Sequence, residues 1–585
     1  MAEGNGTGAS GTAPSLSDYY NGSQFRADSW NRLKNLTARL ERISGSRAAG
    51  KLRREAEAAL RLLDPIESYW AFPGKAAFHQ LKKLLDAEDY PTLARTVARI
   101  VRALMSNAYR RKTIPIDLHS DDEEEDEELS ETREEQVRAR PYFEVLFVDN
   151  INAHQEHGLR AGLHAMRRDE DRFVYEPVVV PSFEDALIGV LFNHNIQAVV
   201  VRYGFPLKSK HNLEILQRSL SRVGDQDFEE LAPEEYGTML AQVIGRVRPE
   251  LDVYLVTDQS VEEIAGKVCD TCKRVFYNQE DYLELHLNIL RGVNERYETP
   301  FFTALREYSK QPTGVFHAMP ISRGKSISKS HWIQDMGEFY GMNIFLAETS
   351  ATSGGLDSLL DPHGPIKKAQ EMAARAFGAR HTFFATNGTS TCNKIVVQAL
   401  VQPGDIVLID RDCHKSHHYG MVLAGAQVVY LDSYPLSQHS MYGAVPLREI
   451  KHRLLELRRA GKLDRVKMLL LTNCTFDGIV YNVERVMEEC LPIKPDLVFL
   501  WDEAWFGFAR FGPTYRQRTA MNTAETLRER YRSAAYRERY EAEMAGLDAG
   551  NDEEWLERRL LPDPDKVRIR AYATQSTHKT LTALR

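Results

Sequence analysis

Leu497-Val498-Phe499-Leu500-Trp501-Asp502-Glu503-Ala504-Trp505 sets an apolar run directly before two acids. A run of that length suits a strand covered on both faces. The acids then stand at its carboxyl end, where open α/β sheets bind their ligands. Outward from this stretch the same texture repeats, with candidate strands at 382–385, 406–409, 428–431, 468–472 and 569–573 alternating with helical segments. Such alternation implies a parallel sheet with helices on its faces, in a unit that begins near Glu298. The Arg- and Glu-rich segment 513–561 interrupts the pattern and reads as an exposed helical insertion.

Four of these strands lead into loops equipped for chemistry. The first enters Thr386-Asn387-Gly388-Thr389-Ser390-Thr391, where Asn-Gly turns the chain and three hydroxyls fall at a helix N-terminus. That arrangement suits a dianionic phosphate, and it suits plain N-capping as well. The second enters Asp410-Arg411-Asp412-Cys413-His414-Lys415-Ser416, whose His414 can lie flat on an aromatic cofactor or serve as an ordinary loop histidine. Asp502, buried opposite a ring nitrogen, would keep that nitrogen protonated and make a pyridine an electron sink; as a bare motif it is also a helix cap. The last strand enters Ala573-Thr574-Gln575-Ser576-Thr577-His578-Lys579, where Lys579 is either an exposed lysine or an amine that captures an aldehyde. Each loop is ambiguous alone. In this chain order on successive strand ends, they are the parts a pyridoxal-phosphate site requires.

Thr386-Asn387-Gly388-Thr389-Ser390, Asp412-Cys413-His414-Lys415-Ser416, Thr472-Asn473, Asp477-Gly478, Asp502-Glu503-Ala504-Trp505 and Ser576-Thr577-His578-Lys579 together resemble the prokaryotic ornithine/lysine/arginine decarboxylases, a fold type I pyridoxal-phosphate family. The resemblance runs from about Thr299 onward. It implies an α/β large domain of the PLP-dependent transferase type, preceded by a flavodoxin-like doubly wound wing domain. It also implies that Thr389 and Ser390 hold the cofactor phosphate with help from Ser576. His414 would then stack on the pyridine ring, Asp502 would pair with its nitrogen, and Ala504 and Trp505 would wall the site. Lys579 would carry the cofactor as a Schiff base with His578 near the reacting carbon, so that Lys579, His578 and His414 are the expected catalytic groups. The implied reaction is decarboxylation of ornithine, lysine or arginine, small-molecule substrates, to a diamine or polyamine and carbon dioxide, in a homodimer or larger homo-oligomer. Transamination, carbon–carbon cleavage and an inactive scaffold subunit are the alternatives. Three departures stand out, one being the expansion of the segment between Asp502 and Lys579 by the charged insertion 513–561. Val315-Phe316-His317-Ala318-Met319-Pro320 replaces the family's Pro-Gly-His stretch, and the chain stops at Arg585, soon after Lys579, so the large domain is expected to be incomplete at its C-terminus.

The remaining sequence divides by composition. Residues 1–24 read as a flexible tail, and 25–118 as a helical region in which Trp30, Leu33, Leu36, Leu40 and Ile43 recur at helical spacing. An acidic linker follows at 119–140, then the wing domain at 141–265 with candidate strands 143–148, 174–180, 198–201 and 253–256. Residues 266–350 read as a linking region and 351–585 as the cofactor-binding domain. Asp149 and Asp258 follow wing strands as in a phosphorylation receiver, but the third strand runs into Arg202-Tyr203-Gly204, so a structural or oligomerisation role is expected there.

At 585 residues with 43% hydrophobic content, the chain can fill several cores. Lys and Arg number 75 against 83 Asp and Glu, a net charge of -8, which argues against nucleic acid as the main partner. Six cysteines in this length read as reduced thiols of a cytoplasmic protein, and no apolar run approaches the roughly 20 residues of a membrane span. No metal is expected. Cys269, Cys272 and His286 supply only three of four zinc-finger ligands, Gly324-Lys325-Ser326 lacks the earlier P-loop glycine because Met319 stands there, and the histidines around His414 lack a partner set at ligand spacing.

Overall fold

Largely aliphatic and aromatic runs of four to seven residues, too short for core helices, form the strands of two parallel sheets in this computed structural model. The structure describes residues 16–43, 49–110, 140–211, 231–258, 271–277, 282–316, 318–331, 334–349, 356–548 and 550–583. The chain divides into two units, Met1–Glu298 and Thr299–Arg585.

In the first unit, helices Leu16–Arg42, Ala49–Glu67, Gly74–Asp86 and Tyr90–Ser106 close around Trp30, Leu33, Leu40, Leu60, Leu81 and Val97. The first helix begins at Leu16, so the tail expected over 1–24 is helical in its last third. Strands β1 (Tyr142–Val148), β2 (Val174–Val180), β3 (Ile196–Val201), β4 (Asp252–Thr257) and β5 (Arg274–Tyr277) pair in parallel in the order β2-β1-β3-β4-β5, which is the flavodoxin-like order. Alternation along β1 sends Leu146 and Val148 to a face shared with Ile66, Tyr69 and Trp70, while Val145 and Phe147 face Leu159 and Ile289 on the other side. The boundary expected at 265 is too early. β5 extends the sheet from β4, and helix Tyr282–Arg296 packs on it through Leu285, Ile289 and Val293. Their short length and the polar residues between them hid these elements. The acidic run 121–128 and Cys269 lie outside the described residues, while His286 exchanges a hydrogen bond with Tyr175 Oη at 2.9 Å.

The second unit starts at Thr299 rather than 351, because helix Pro300–Lys310 packs on helix Pro365–Phe377 and Arg323 holds its end through the carbonyls of Tyr308, Ser309, Gln311 and Leu346. His317 lies outside the described residues. The sheet here comprises β6 (Ile406–Asp410), β7 (Gln427–Leu431), β10 (Val466–Thr472), β11 (Val498–Asp502) and β12 (Arg570–Thr574), all parallel in the order β12-β11-β10-β6-β7; β8 (Pro435–Leu436) and β9 (Met441–Tyr442) form a separate two-stranded ribbon. Residues 382–385 do not form the expected strand. A strand needs a neighbour's hydrogen-bonding edge, the described sheet pairs none with this segment, and Phe383 stands 80% exposed.

The three central strands of this sheet, β6, β10 and β11, are covered on both faces. Val407, Ile409, Met468, Leu470, Val498 and Leu500 meet Val397 and Met421 of helices Thr389–Leu400 and Lys415–Ala424. Ile406, Leu408, Leu469, Leu471, Phe499 and Trp501 meet helices Leu447–Arg459 and Val483–Cys490, and also Ala520, Leu527, Tyr531, Tyr536, Leu556 and Leu561. Segment 513–561 is therefore a core layer and not an exposed insertion. Helix Ala520–Arg532 buries an i, i+4, i+7, i+11 stripe of Ala520, Ala524, Leu527 and Tyr531, while Glu525, Arg528 and Glu529 lie exposed and Arg530 turns inward to Glu484 and Glu488. Among the described residues no helix is long and apolar enough to cross a membrane. Because Leu527 is fully buried, Leu527→Ala should cost about 2–5 kcal/mol, whereas Glu529→Ala on the exposed side of the same helix should stay within about 0.5 kcal/mol. Urea unfolding of the two variants reads the difference, and equal midpoints would contradict the core placement.

Candidate functional site

Parallel register sets Thr472, Asp502 and Thr574 side by side at the carboxyl ends of β10, β11 and β12. Strand alternation then separates the adjacent acids: with Trp501 facing the helices of 447–561, Asp502 turns toward helices Thr389–Leu400 and Lys415–Ala424. Asp502 is only 3% exposed. Its Oδ2 accepts from His417 Nε2 at 2.7 Å and Asn393 Nδ2 at 3.2 Å, and its Oδ1 accepts from the Ala504 N–H at 3.0 Å. Burial works against the charge, but the hydrogen bond and charge of His417, aided by Ala504 and Asn393, outweigh it and hold the carboxyl below its usual range. Asn393 is itself oriented, because the Thr574 hydroxyl donates to its Oδ1 at 2.6 Å and its Nδ2 also reaches Ser416 Oγ at 3.1 Å.

The expected anion-binding turn is formed without its strand. Asn387 and Gly388 take left-handed φ values of 65° and 70°, so the chain reverses into helix Thr389–Leu400 with Thr389 and Ser390 in its first turn. Thr389 Oγ1 and Ser576 Oγ share a hydrogen bond across the two loops. A Cβ on Gly388 would stand 3.9 Å from His578 Cε1, which places His578 over the same turn. Lys579 Nζ lies 4.4 Å from the centroid of the Trp505 ring, a cation–π distance, and Trp505 meets Phe476 edge-on. His414 caps helix Lys415–Ala424, its Nδ1 accepting from the Ser416 N–H at 3.2 Å. Partial burial, together with the charges of His417, Lys579 and Lys415 acting against that of Asp502, lowers its pKa. The structure thus brings Thr389 to Ser576, His578 to Gly388, Ala504 to Asp502 and Lys579 to Trp505, while the direct bonds of His414 go to its own helix turn.

Glu503 turns to the opposite face and is fully buried. Its Oε1 accepts from the Ala520 N–H at 2.8 Å and Asn473 Nδ2 at 3.3 Å, and its Oε2 from Gln575 Nε2 at 3.1 Å. Burial dominates those bonds and pushes its pKa up to about 7, with Asp502 adding in the same direction. Two neighbouring carboxyls therefore sit in environments that drive them apart. Chemically, the set offers a hydroxyl pair at a helix start for an anion, a buried anion for a protonated heteroatom, and an amine, Lys579, three residues past Ser576.

Sequence reasoning missed His417, Asn393 and Thr574. A signal existed: Asn393 lies on the Thr389, Asn393, Val397 stripe and His417 on the His417, Met421, Ala424 stripe, and a polar residue on a buried stripe needs a partner.

Residues 299–530 match the family described as Orn/Lys/Arg decarboxylase, major domain. The lysine decarboxylase LdcA of Pseudomonas aeruginosa is 36% identical over 233 residues, 39% of this chain and 31% of that protein. The biodegradative arginine decarboxylase of Escherichia coli K12 is 32% identical over 38% of this chain and 30% of its own length, and the inducible ornithine decarboxylase of the same strain is 30% identical over 45% and 37%. The chain thus spans about a third of the length of these relatives. Among solved structures, the Francisella novicida lysine decarboxylase LdcF aligns with 21% identity and a TM-score of 0.39, covering 76% of this chain and 52% of that one.

Glu503 supplies a test of the site's electrostatics. Its folded pKa of about 7 lies above the ordinary 4.5, so the folded state keeps a proton that the unfolded chain loses between those values. Wild-type stability must then fall as pH rises through that window, and Glu503→Gln, which has no such proton, should gain on the wild type by on the order of 3 kcal/mol. Urea midpoints of both proteins at pH 5 and pH 8 measure this; a difference independent of pH would refute it.

Proposed function

We propose that the chain is a pyridoxal-phosphate-dependent decarboxylase of a free basic amino acid, ornithine, lysine or arginine, yielding carbon dioxide and a diamine or polyamine. The observation that carries this reading is a buried Asp502 held anionic at the sheet end that also presents Lys579 and the Thr389–Ser576 hydroxyl pair. The donor set fits the cofactor. Thr389, Ser390 and Ser576 would hold its phosphate, Asp502 its ring nitrogen, and Lys579 its aldehyde carbon, with His414, Ala504 and Trp505 around the ring. When bound, pyridoxal phosphate supplies an aldehyde for amine capture and a protonated ring that accepts the electron pair released as the carboxylate leaves.

The residues of the chain provide everything else. Asp502, itself only 3% exposed, would hold a proton on the ring nitrogen by opposite charge. Trp505 keeps the Lys579 ammonium against its face while the amine is free. His578, next to Lys579, would return a proton to the α-carbon. Matches to lysine, arginine and ornithine decarboxylases over this region support a basic amino acid as substrate. Tyr419, Val422 and Leu423, exposed on one side of helix Lys415–Ala424, suit self-association into homodimers.

The purified chain with pyridoxal phosphate should turn yellow, borohydride should fix the cofactor on Lys579, and carboxyl-labelled ornithine, lysine or arginine should release labelled carbon dioxide. Lys579→Ala should abolish fixation and reduce turnover by at least about a thousandfold. Colour and turnover retained in Lys579→Ala would refute the assignment, and a keto acid in place of carbon dioxide would make the enzyme an aminotransferase.

A further inference from the structure

His417 is completely buried, on the inward stripe of helix Lys415–Ala424 that continues as Met421 and Ala424. An aliphatic side chain would fill such a position without penalty, whereas an imidazole must recover its lost hydration through hydrogen bonds. His417 recovers it on one side only. Nε2 meets Asp502 Oδ2 at 2.7 Å, while Nδ1 makes no hydrogen bond among the described residues. A histidine kept for packing would be expected to satisfy both nitrogens; this one leaves a buried nitrogen bare in favour of a single short contact.

That contact has a geometric consequence. His417 Nε2 and Asn393 Nδ2 both occupy Oδ2 of Asp502, and the Ala504 N–H meets Oδ1, so rotation of the carboxylate about its last bond would break all three. Charged groups face His417 from each neighbouring element. Asp502 comes from β11, Asp410 from the end of β6, where His417's charge acts on its buried carboxyl, and His414 from the preceding loop. From helix Thr389–Leu400 the neutral Asn393 approaches to 3.3 Å from Nε2, and the charge of Asp502 also acts on the Cys392 thiol.

We propose that His417 is a positioning residue that locks the Asp502 carboxylate in one orientation and thereby sets how firmly Asp502 keeps a proton on the cofactor's ring nitrogen. The inference rests on the pyridoxal-phosphate reading of the site. It assigns to a residue outside the four sequence motifs' expected roles the control of cofactor affinity and electronic state.

The experiment uses the full chain and pyridoxal phosphate itself. His417→Gln places an amide N–H where Nε2 stands, His417→Asn carries the same amide one carbon short of Asp502, and His417→Leu removes the donor. The Gln variant should bind the cofactor within about threefold of wild type, and the Asn and Leu variants about tenfold more weakly, as expected for loss of one hydrogen bond to a charged group. In the Asn and Leu variants the pH midpoint of the bound cofactor's visible absorbance should rise by about one unit, because a less firmly protonated ring withdraws less charge from its aldehyde carbon. Should the Leu variant fail to fold, the Gln and Asn pair decides alone. Wild-type affinity and an unshifted midpoint in the Asn variant overturn the inference while leaving the site reading intact. Weaker binding with an unshifted midpoint assigns His417 to packing and overturns it too. Failure of the wild-type chain to form any coloured complex overturns the site reading and this inference together.

Discussion

A carboxylate almost wholly removed from water remains an anion only where protein donors replace the water it has lost. Asp502 obtains its donors from three places: the first turn of helix Lys415–Ala424, the second turn of helix Thr389–Leu400 and the backbone just past its own strand. Both helices must therefore abut the same end of the sheet. The layer of Val397, Met421, Val407, Ile409, Met468 and Leu470 brings them there, so hydrophobic packing fixes the distance over which the polar contacts are made. The anion-binding turn at Thr389 and the loop of His414 begin these same two helices. One packing arrangement consequently positions the phosphate end and the ring-nitrogen end of the site at once.

The other face of the sheet carries a denser set of charges. Glu488 and Glu489 are buried on helix Val483–Cys490; Glu489 meets Lys451 at 2.9 Å and Arg485 at 2.7 Å, and Glu488 meets Arg559 at 2.7 Å and Arg530 at 3.3 Å. Buried pairs of this kind add little net stability over apolar replacements, but removing one partner strands the other. Their use here is orientation. Arg530 and Arg559 both belong to segment 513–561, so Glu488 fastens that segment at two points while Leu527, Tyr531 and Leu561 supply the burial.

Strands β6, β10 and β11 were legible because parallel strands covered on both faces are continuous apolar runs, and the site loops because they follow such runs directly. Segment 382–385 has the same local composition, yet no neighbour pairs with it; strand formation depends on a partner that local sequence does not name. Segment 513–561 misled in the opposite sense. Its many Arg and Glu residues pointed to solvent, although the stripe Ala520, Ala524, Leu527, Tyr531 was present, and part of its charge is turned inward to Glu484 and Glu488. Likewise His417 was visible only as one histidine among several near His414. Its role follows from an 85-residue separation closed by the fold, which periodicity cannot report.

The two faces meet at Asp502 and Glu503. Glu503 ties Asn473, Gln575 and the start of helix Ala520–Arg532 into one knot, and Gln575 directly precedes Ser576 and the turn that presents Lys579. The position of Lys579 relative to Asp502 is thereby referred back to segment 513–561, whose first long helix donates its leading N–H to Glu503. Charge follows the same division. A second anion beside Asp502 would compete for the positive charge that Asp502 must attract, and burial prevents this by keeping Glu503 largely protonated below about pH 7. The neutral carboxyl then serves as structure and the ionised one as chemistry, from adjacent positions whose opposite fates are dictated by the two-residue period of the strand they end.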